Sequence, residues 1–461
     1  MASTPGAAEV LVASNRGPVS YAVGDDGTVT ARRGGGGLVS ALSSVDDKLW
    51  VCAALGDGDR EAVRRGITEP GVRMLDIDPE VHAAAYNGIA NSVLWFVHHM
   101  LYQTPLEPSF GPEFRRQWAA YEEYNRAFAQ ALADGAAPGA TVVVQDYHLA
   151  LVPGMLRELR GDLRIGHFSH TPWAPVDWFR MLPDDIAEQL LRGMLGADRL
   201  GFLTRRWADA FTECCTRIVG GPGGTEIGVH GLGADAEFLR ERAHRADVEE
   251  RLAALREQVG AGRKVVVRVD RTELSKNIVR GLRAFELLLE TRPEWRERVV
   301  HLAFAYPSRQ DLEVYQEYTA EVSWVAASIN SRFGTEGWTP VVLHVKDDFA
   351  RSLAAYRLAD VALVNPIRDG MNLVAKEVPI VSDGGGCVLV LSREAGAYEE
   401  LGDAAIGVNP FDVSGTAVAL GAALDMPDAE RVERGERLVA AGSALPPARW
   451  FLDQLDALRS R

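Results

Sequence analysis

The chain has 461 residues, too many for one compact core, so two or three domains are expected. Apolar residues make up 47% and charged residues 25%, an ordinary globular balance, and no apolar run reaches the length of a membrane span. A formal net charge of −15 excludes a broad nucleic-acid surface, so any phosphate ligand must sit in a local cationic pocket.

Neither a nucleic acid nor a membrane is therefore expected as a partner. The N-terminus lacks a basic segment followed by an apolar one, so no signal peptide is expected. Cys52, Cys214, Cys215 and Cys387 show no CxxC spacing. Reduced, buried thiols in a cytoplasmic protein fit them better than disulfides or a zinc site.

Short continuous apolar runs alternate with amphipathic stretches along the whole chain. In order, the predicted strands are Glu9–Ala13, Val142–Gln145, Arg164–Phe168, Lys264–Arg268, Val300–Ala305, Val341–Val345, Val361–Val364 and Val388–Leu391. Such runs suit parallel strands covered on both faces. Helical patterns fall at Phe114–Leu132, Asp185–Leu195, Trp207–Val219 and Asn277–Leu289, with a charged helical stretch at Ala243–Gln258. Tyr21–Thr30 reads as a hairpin around Asp25-Asp26-Gly27, and Gly220–Gly224 as a loop. The fold class is α/β, with two doubly wound, Rossmann-like domains facing a cleft. An N-terminal domain over 1–240 and a C-terminal domain over 241–439 are expected, with a last helix at about 440–461 packing back on the first.

Asn365-Pro-Ile-Arg-Asp369-Gly370-Met371-Asn372-Leu373-Val374-Ala-Lys-Glu377 follows the strand at Val361–Val364. It reads as a glycine turn entering a helix at Met371. That geometry aims free amides and a positive helix end at an anion, with carboxylates on either side for sugar hydroxyls. Ser14-Asn-Arg16-Gly-Pro follows the first strand, with Gly34–Gly37 before an apolar helical start. Tyr86-Asn-Gly-Ile-Ala-Asn91 reads as a turn flanked by Tyr86 and Trp95. Asp146-Tyr-His148 and His167-Phe-Ser-His170 follow strands, as do Asp270-Arg271-Thr-Glu-Leu-Ser-Lys276-Asn277 and Tyr306-Pro-Ser-Arg309.

These five motifs, in this order and spacing, resemble the trehalose-6-phosphate synthases, retaining glycosyltransferases of the GT-B fold. The resemblance implies transfer of glucose from a nucleotide-glucose to glucose 6-phosphate. It implies an acceptor site of Arg16, Tyr86, Trp95, Asp146 and Arg309, with the arginines forking onto the 6-phosphate. It places Gly36, Gly37, Arg271, Lys276, Asp369, Asn372, Leu373, Val374 and Glu377 at the donor, Glu377 on the ribose. His170, Asp146, Arg271, Lys276 and Asp369 are implied to carry the chemistry, with His170 on the transferred sugar's 6-hydroxyl and His148 holding its loop. Glu273, Leu274 and Asn277 stand where the family more often has Asp, Tyr and Gly.

No cofactor is expected, and no metal. Asp76-Ile-Asp78 is formally a DxD but reads as a helix cap before Pro79. No phosphatase motif or further C-terminal domain is seen, so a synthase alone is expected. The wording around Arg271 and Lys276, and the Ala/Arg/Gly-rich composition, resemble an actinobacterial branch in which GDP-glucose is used. GDP-glucose is therefore the favoured donor, with UDP-glucose the other candidate. A pseudo-glycosyltransferase joining cyclitols through nitrogen, or a non-catalytic sugar-phosphate sensor, are the competing readings. Homo-oligomerisation is left open.

Overall fold

The computed structural model describes residues 7–33, 48–383 and 386–460. Gly36 and Gly37 lie outside them. The chain divides into two compact units, one of residues 1–232 with 447–461, the other of residues 233–446.

In chain order the first unit contains β1 (Ala8–Ala13), a hairpin of β2 (Val19–Val23) and β3 (Val29–Arg33), β4 (Lys48–Ala53), β5 (Val72–Leu75), β6 (Ala136–Gln145), β7 (Arg164–Ser169), β8 (Arg199–Phe202) and β9 (Glu226–Val229). All but the hairpin pair in parallel, in the order β5-β4-β1-β6-β7-β8-β9. The second unit contains β10 (Lys264–Thr272), β11 (Val299–Pro307), β12 (Val341–His344), β13 (Val361–Val364), β14 (Val388–Ser392) and β15 (Ile406–Val408). They form a parallel sheet in the order β12-β11-β10-β13-β14-β15. Each unit is thus Rossmann-like, with central strands buried from end to end, as β13 and β14 are.

Both strand orders reverse once: between β1 and β6 in the first sheet, and between β10 and β13 in the second. At such a switch point the two following connections leave in opposite directions and open a crevice beyond the carboxyl ends of the strands. Arg16 follows β1 and Asp146 follows β6. Arg271 and Lys276 lie at the end of β10, and Asp369 follows β13.

The eight predicted strands are all present. β4, β5, β8, β9 and β15 were not foreseen; three of them carry a central glycine and four are only three or four residues long. Gly201 in β8 is required by packing, since a Cβ there would lie 2.5 Å from the Phe168 ring. The charged stretch expected as helical at Ala243–Gln258 is the helix Ala246–Val259, and a separate helix, Ala236–Ala243, precedes it, the two parted at Arg245, which has an extended backbone.

Two local expectations are corrected. The segment read as a turn at Tyr86–Asn91 is a π-helix, Ala84–Leu94. Its buried Ala85, Ile89, Ala90, Val93 and Leu94 follow a helical spacing that the Asn87-Gly88 turn signal masked. The helix read from Met371 begins at Val374 and runs to Val381. Asn372 has φ +79°, which no helix interior accepts, and its Oδ1 instead receives the Ala375 amide at 3.1 Å.

The last helix, Pro447–Arg459, packs against β7: Trp450 meets Phe168 edge-on at 4.8 Å, and Leu458 sits over Gly166. All four cysteines are buried and free. No described helix is long and apolar enough to cross a membrane.

Candidate active site

In the first unit, the loop after β1 is pinned from below. Trp50 Nε1 donates to Ser14 Oγ at 2.7 Å, Ser14 Oγ donates to the Arg16 carbonyl at 2.7 Å, and the Tyr124 hydroxyl donates to Asn15 Oδ1 at 2.5 Å. Gly17 is forced by contact, since a Cβ there would lie 2.4 Å from Cys52 Sγ. These bonds hold the backbone while the Arg16 side chain stays exposed. Asn15 is also linked through Tyr124 to His82, whose ring lies 5.9 Å away and stacks on Tyr86 at 5.5 Å.

Tyr86 stacks on its other side against His148, also at 5.5 Å. His148 Nδ1 lies 4.0 Å from Asp146 Oδ2. The half-buried Asp146 carboxylate accepts the His170 amide at 3.2 Å. Asp146 has φ +69° and ψ 170°, a region almost reserved for glycine, and its amide donates to the Phe168 carbonyl at 2.7 Å. Strain of this kind in a non-glycine residue concentrates at functional sites, where surrounding bonds over-determine it.

His170 Nε2 meets Gln145 Oε1 at 2.8 Å, and its ring packs 5.5 Å from Trp450. Burial, and then the neighbouring His167, push its pKa down to about 4, so the ring is neutral and can exchange hydrogen bonds with a hydroxyl at neutral pH. Trp95 is nearly buried, stacked 3.7 Å from His99 and tilted against Tyr147 at 5.9 Å. The first unit therefore gathers Tyr86, Asp146, His148 and His170 at one strand edge, with Trp95 behind Tyr147.

In the second unit, Lys276 Nζ meets Asp369 Oδ2 at 2.5 Å, joining the ends of β10 and β13 across the switch point. Burial alone would lower the Lys276 pKa. Asp369, Asp270 and Glu273 outweigh it and hold the ammonium charged. Arg271 is exposed and its Nε lies 3.2 Å from Glu273 Oε1. Arg309 follows β11, has φ +50°, and bonds the Tyr315 hydroxyl at 3.1 Å.

The Asp369 turn is clamped by a loop that sequence reasoning missed. Asp369 donates its amide to the Glu394 carbonyl, and its own carbonyl accepts from Gly396. A Cβ at Gly396 would lie 1.9 Å from the Gly370 carbonyl oxygen. Asn372 Nδ2 donates to Asp369 Oδ2 at 3.1 Å. Among the described residues, no recorded protein acceptor takes the amides of Asn372, Leu373 and Val374, at the positive end of the helix. Glu377, half-buried one turn on, accepts from the Tyr356 hydroxyl at 3.3 Å. Burial pushes its carboxyl above the ordinary range, and the Tyr356 bond partly offsets this. Tyr356 sits in a helix with no signal to mark it.

The formal DxD is structural. Asp78 Oδ1 accepts the amides of Glu80 and Val81, capping the helix Pro79–Ala83, and Asp76 faces Arg60 at 3.6 Å.

Two Rossmann-like units, each with charged and polar side chains gathered at its switch point, match the GT-B fold class. The model of glycosyltransferase family 20 matches residues 8–460, and the chain belongs to that family. It is 36% identical over 452 residues to an alpha,alpha-trehalose-phosphate synthase [UDP-forming] of Schizosaccharomyces pombe, covering 93% of this chain and 86% of that protein. It is similar to the Escherichia coli trehalose-6-phosphate protein bound with UDP-2-fluoro glucose, with a TM-score of 0.85, 26% identity, and 98% and 99% of the two chains covered. It is also similar to a UDP-forming synthase of Burkholderia xenovorans in complex with glucose 6-phosphate, with a TM-score of 0.83, 27% identity, and 98% and 100% covered.

These relatives overturn the expectation of a GDP-forming, actinobacterial-type synthase: the Schizosaccharomyces pombe and Burkholderia xenovorans proteins are UDP-forming, the Escherichia coli protein is bound with a UDP-sugar, and none is of that branch. The physical reason lies in the loop that suggested it. Asn277, at φ +57°, gives its Nδ2 to the Asn365 and Pro410 carbonyls, and Arg268 bonds Asn365 Oδ1. Asn277 is thus committed to bonds inside the unit, and Glu273 to Arg271, Arg309 and Ser308, so these two departures are accounted for by packing.

Proposed function

We propose that this chain is a retaining glucosyltransferase that moves glucose from UDP-glucose to glucose 6-phosphate, giving α,α-trehalose 6-phosphate and UDP. The observation that carries this reading is the Lys276–Asp369 pair bridging β10 and β13 at a switch point. It sets a fixed cation and a sugar-binding carboxylate side by side where α/β sheets take their ligands.

In this reading Arg271, Lys276 and the amides of Asn372, Leu373 and Val374 hold the donor diphosphate, as do Gly36 and Gly37. Glu377 accepts from the ribose hydroxyls. Asp369 and His170 hold hydroxyls of the transferred glucose. Arg16, Arg309, Tyr86 and Trp95 hold the acceptor, with Asp146 between the sugars.

The bond from glucose C1 to the β-phosphate oxygen breaks, and a bond from C1 to the acceptor 1-oxygen forms on the same face. The departing phosphate oxygen takes the acceptor proton. No protein nucleophile is needed, so positioning and stabilisation of the leaving diphosphate by Arg271 and Lys276 supply the rate. The buried, reduced cysteines fit a cytoplasmic enzyme.

The test is product analysis. The chain incubated with UDP-glucose and glucose 6-phosphate is expected to form a doubly α-linked phosphorylated disaccharide by NMR, one per UDP released. UDP release indifferent to glucose 6-phosphate would overturn the reading.

A further inference from the structure

Glu273 is the residue the proposed reaction leaves unused. Its side chain is fully buried, yet it carries a carboxylate that touches two cations from different connections. Oε1 lies 3.2 Å from Arg271 Nε and accepts from Ser308 Oγ at 3.2 Å; Oε2 lies 3.3 Å from Arg309 Nη1. Arg309 is itself held in a left-handed backbone conformation, with its guanidinium 5.5 Å over the Tyr315 ring. A buried carboxylate is retained only where its charge is matched, and here the match is two guanidiniums reaching it from opposite ends.

We propose that Glu273 is the positioning residue for both phosphate-binding arginines, setting the donor-side Arg271 and the acceptor-side Arg309 from one carboxylate. The assignment rests on the functional reading above. With Nε of Arg271 the nitrogen nearest Oε1, its terminal nitrogens are the ones free to meet a phosphate. Nη1 of Arg309 donates to the Tyr315 hydroxyl and lies 3.3 Å from Oε2 as an ion pair, which restrains that guanidinium from one side. Arginine recognises phosphate through its planar fork, so misplacing it weakens binding without removing a charge. Burial pushes the Glu273 carboxyl up, but Arg271, Arg309 and Lys276 outweigh it and keep it ionised.

The experiment compares the full chain with Glu273→Gln and Glu273→Asp, measuring both KM values, kcat, thermal stability, and the separate binding of UDP and of glucose 6-phosphate. Glu273→Gln is expected to raise both KM values by about tenfold, the scale of one misplaced charge-assisted contact. Glu273→Asp, which keeps the charge, is expected to recover most of that loss. A fall in kcat alone, or a rise in only one KM, would overturn the shared positioning. If Glu273→Gln does not fold, Glu273→Asp decides: it keeps the charge but shortens the reach to both guanidiniums, so a small rise in both KM values together supports the shared positioning, and a change in only one, or in neither, overturns it. A wild-type chain that binds neither ligand overturns the functional reading. A wild-type chain that binds both, with Glu273→Gln binding them equally, overturns the positioning role alone.

Discussion

Lys276 and Asp369 are 93 residues apart in the chain and 2.5 Å apart in the fold, each with only about one-seventh of its side chain exposed. Arg271, five residues before Lys276, is by contrast 60% exposed. The two cations proposed for the diphosphate therefore differ in what their removal does to the protein.

Arg271→Ala is expected to lower the melting temperature only modestly, because the buried Glu273 carboxylate keeps Arg309 and Ser308, and to lower kcat by a factor on the order of 100, the scale of losing one preorganised charge contact. Lys276→Ala is expected to lose transfer as well, and to destabilise the fold by about 3 kcal/mol because the buried Asp369 carboxylate loses its cation. Kinetics paired with thermal melting separates the two; equal melting temperatures would contradict the buried-pair account.

The Arg16 loop is tested through its floor. Gly17→Ala places a methyl 2.4 Å from Cys52 Sγ, so it is expected to raise the KM for glucose 6-phosphate and to destabilise by about 1–3 kcal/mol. Removing the sulfur in Gly17→Ala/Cys52→Ala leaves 3.2 Å to the Cys52 Cβ and is expected to restore much of both. A double-mutant cycle showing simple additivity would refute the contact.

Gly396→Ala drives a methyl to 1.9 Å from the Gly370 carbonyl oxygen, backbone against backbone, with no side chain able to yield. The Asp369 turn must move. UDP affinity measured by calorimetry is expected to fall by about tenfold or more, the cost of misplacing a binding turn. Binding of glucose 6-phosphate alone is expected to change little.

The buried histidines set a pH dependence. Burial pushes His167 and His170 down to about 4 and His301 to about 3, from an ordinary 6.5. Between those values and 6.5 the unfolded chain binds more protons than the folded one, so stability rises with pH there and is lost as pH falls below 6.5. Each pKa unit is about 1.4 kcal/mol. Asp270 and Glu377, whose carboxyls burial pushes up, oppose this slope, so the comparison should be differential. His301→Leu is expected to melt with a shallower dependence between pH 5 and 7.5 than the parent chain.

The α/β alternation was legible because parallel strands covered on both faces must be runs of valine, leucine and alanine, as Val361–Val364 is. The short strands β8 and β9 were not, because Arg199-Leu-Gly-Phe and Glu226-Ile-Gly-Val become strands only through what lies beside them. Charged residues after strands could be found as candidates, since Arg271, Lys276 and Asp369 stand where a parallel sheet presents its loops. Their partners could not: nothing local ties Glu273 to Arg309, Glu377 to Tyr356, or Asp369 to Gly396. The π-helix was hidden by an Asn-Gly pair whose turn preference lost to the burial of Ile89 and Leu94. The nucleotide misreading drew in part on Asn277, whose side chain answers to the carbonyls of Asn365 and Pro410.

The helix Pro447–Arg459 has a consequence for synthesis. It supplies Trp450 and Leu458 to β7 of the first unit, whose other elements end near residue 232. All of the second unit must leave the ribosome before that surface is covered. Until then Phe168 and His170 lack their Trp450 neighbour, so the unit made first is the one finished last, and its exposed apolar strip is where a chaperone would be expected to wait.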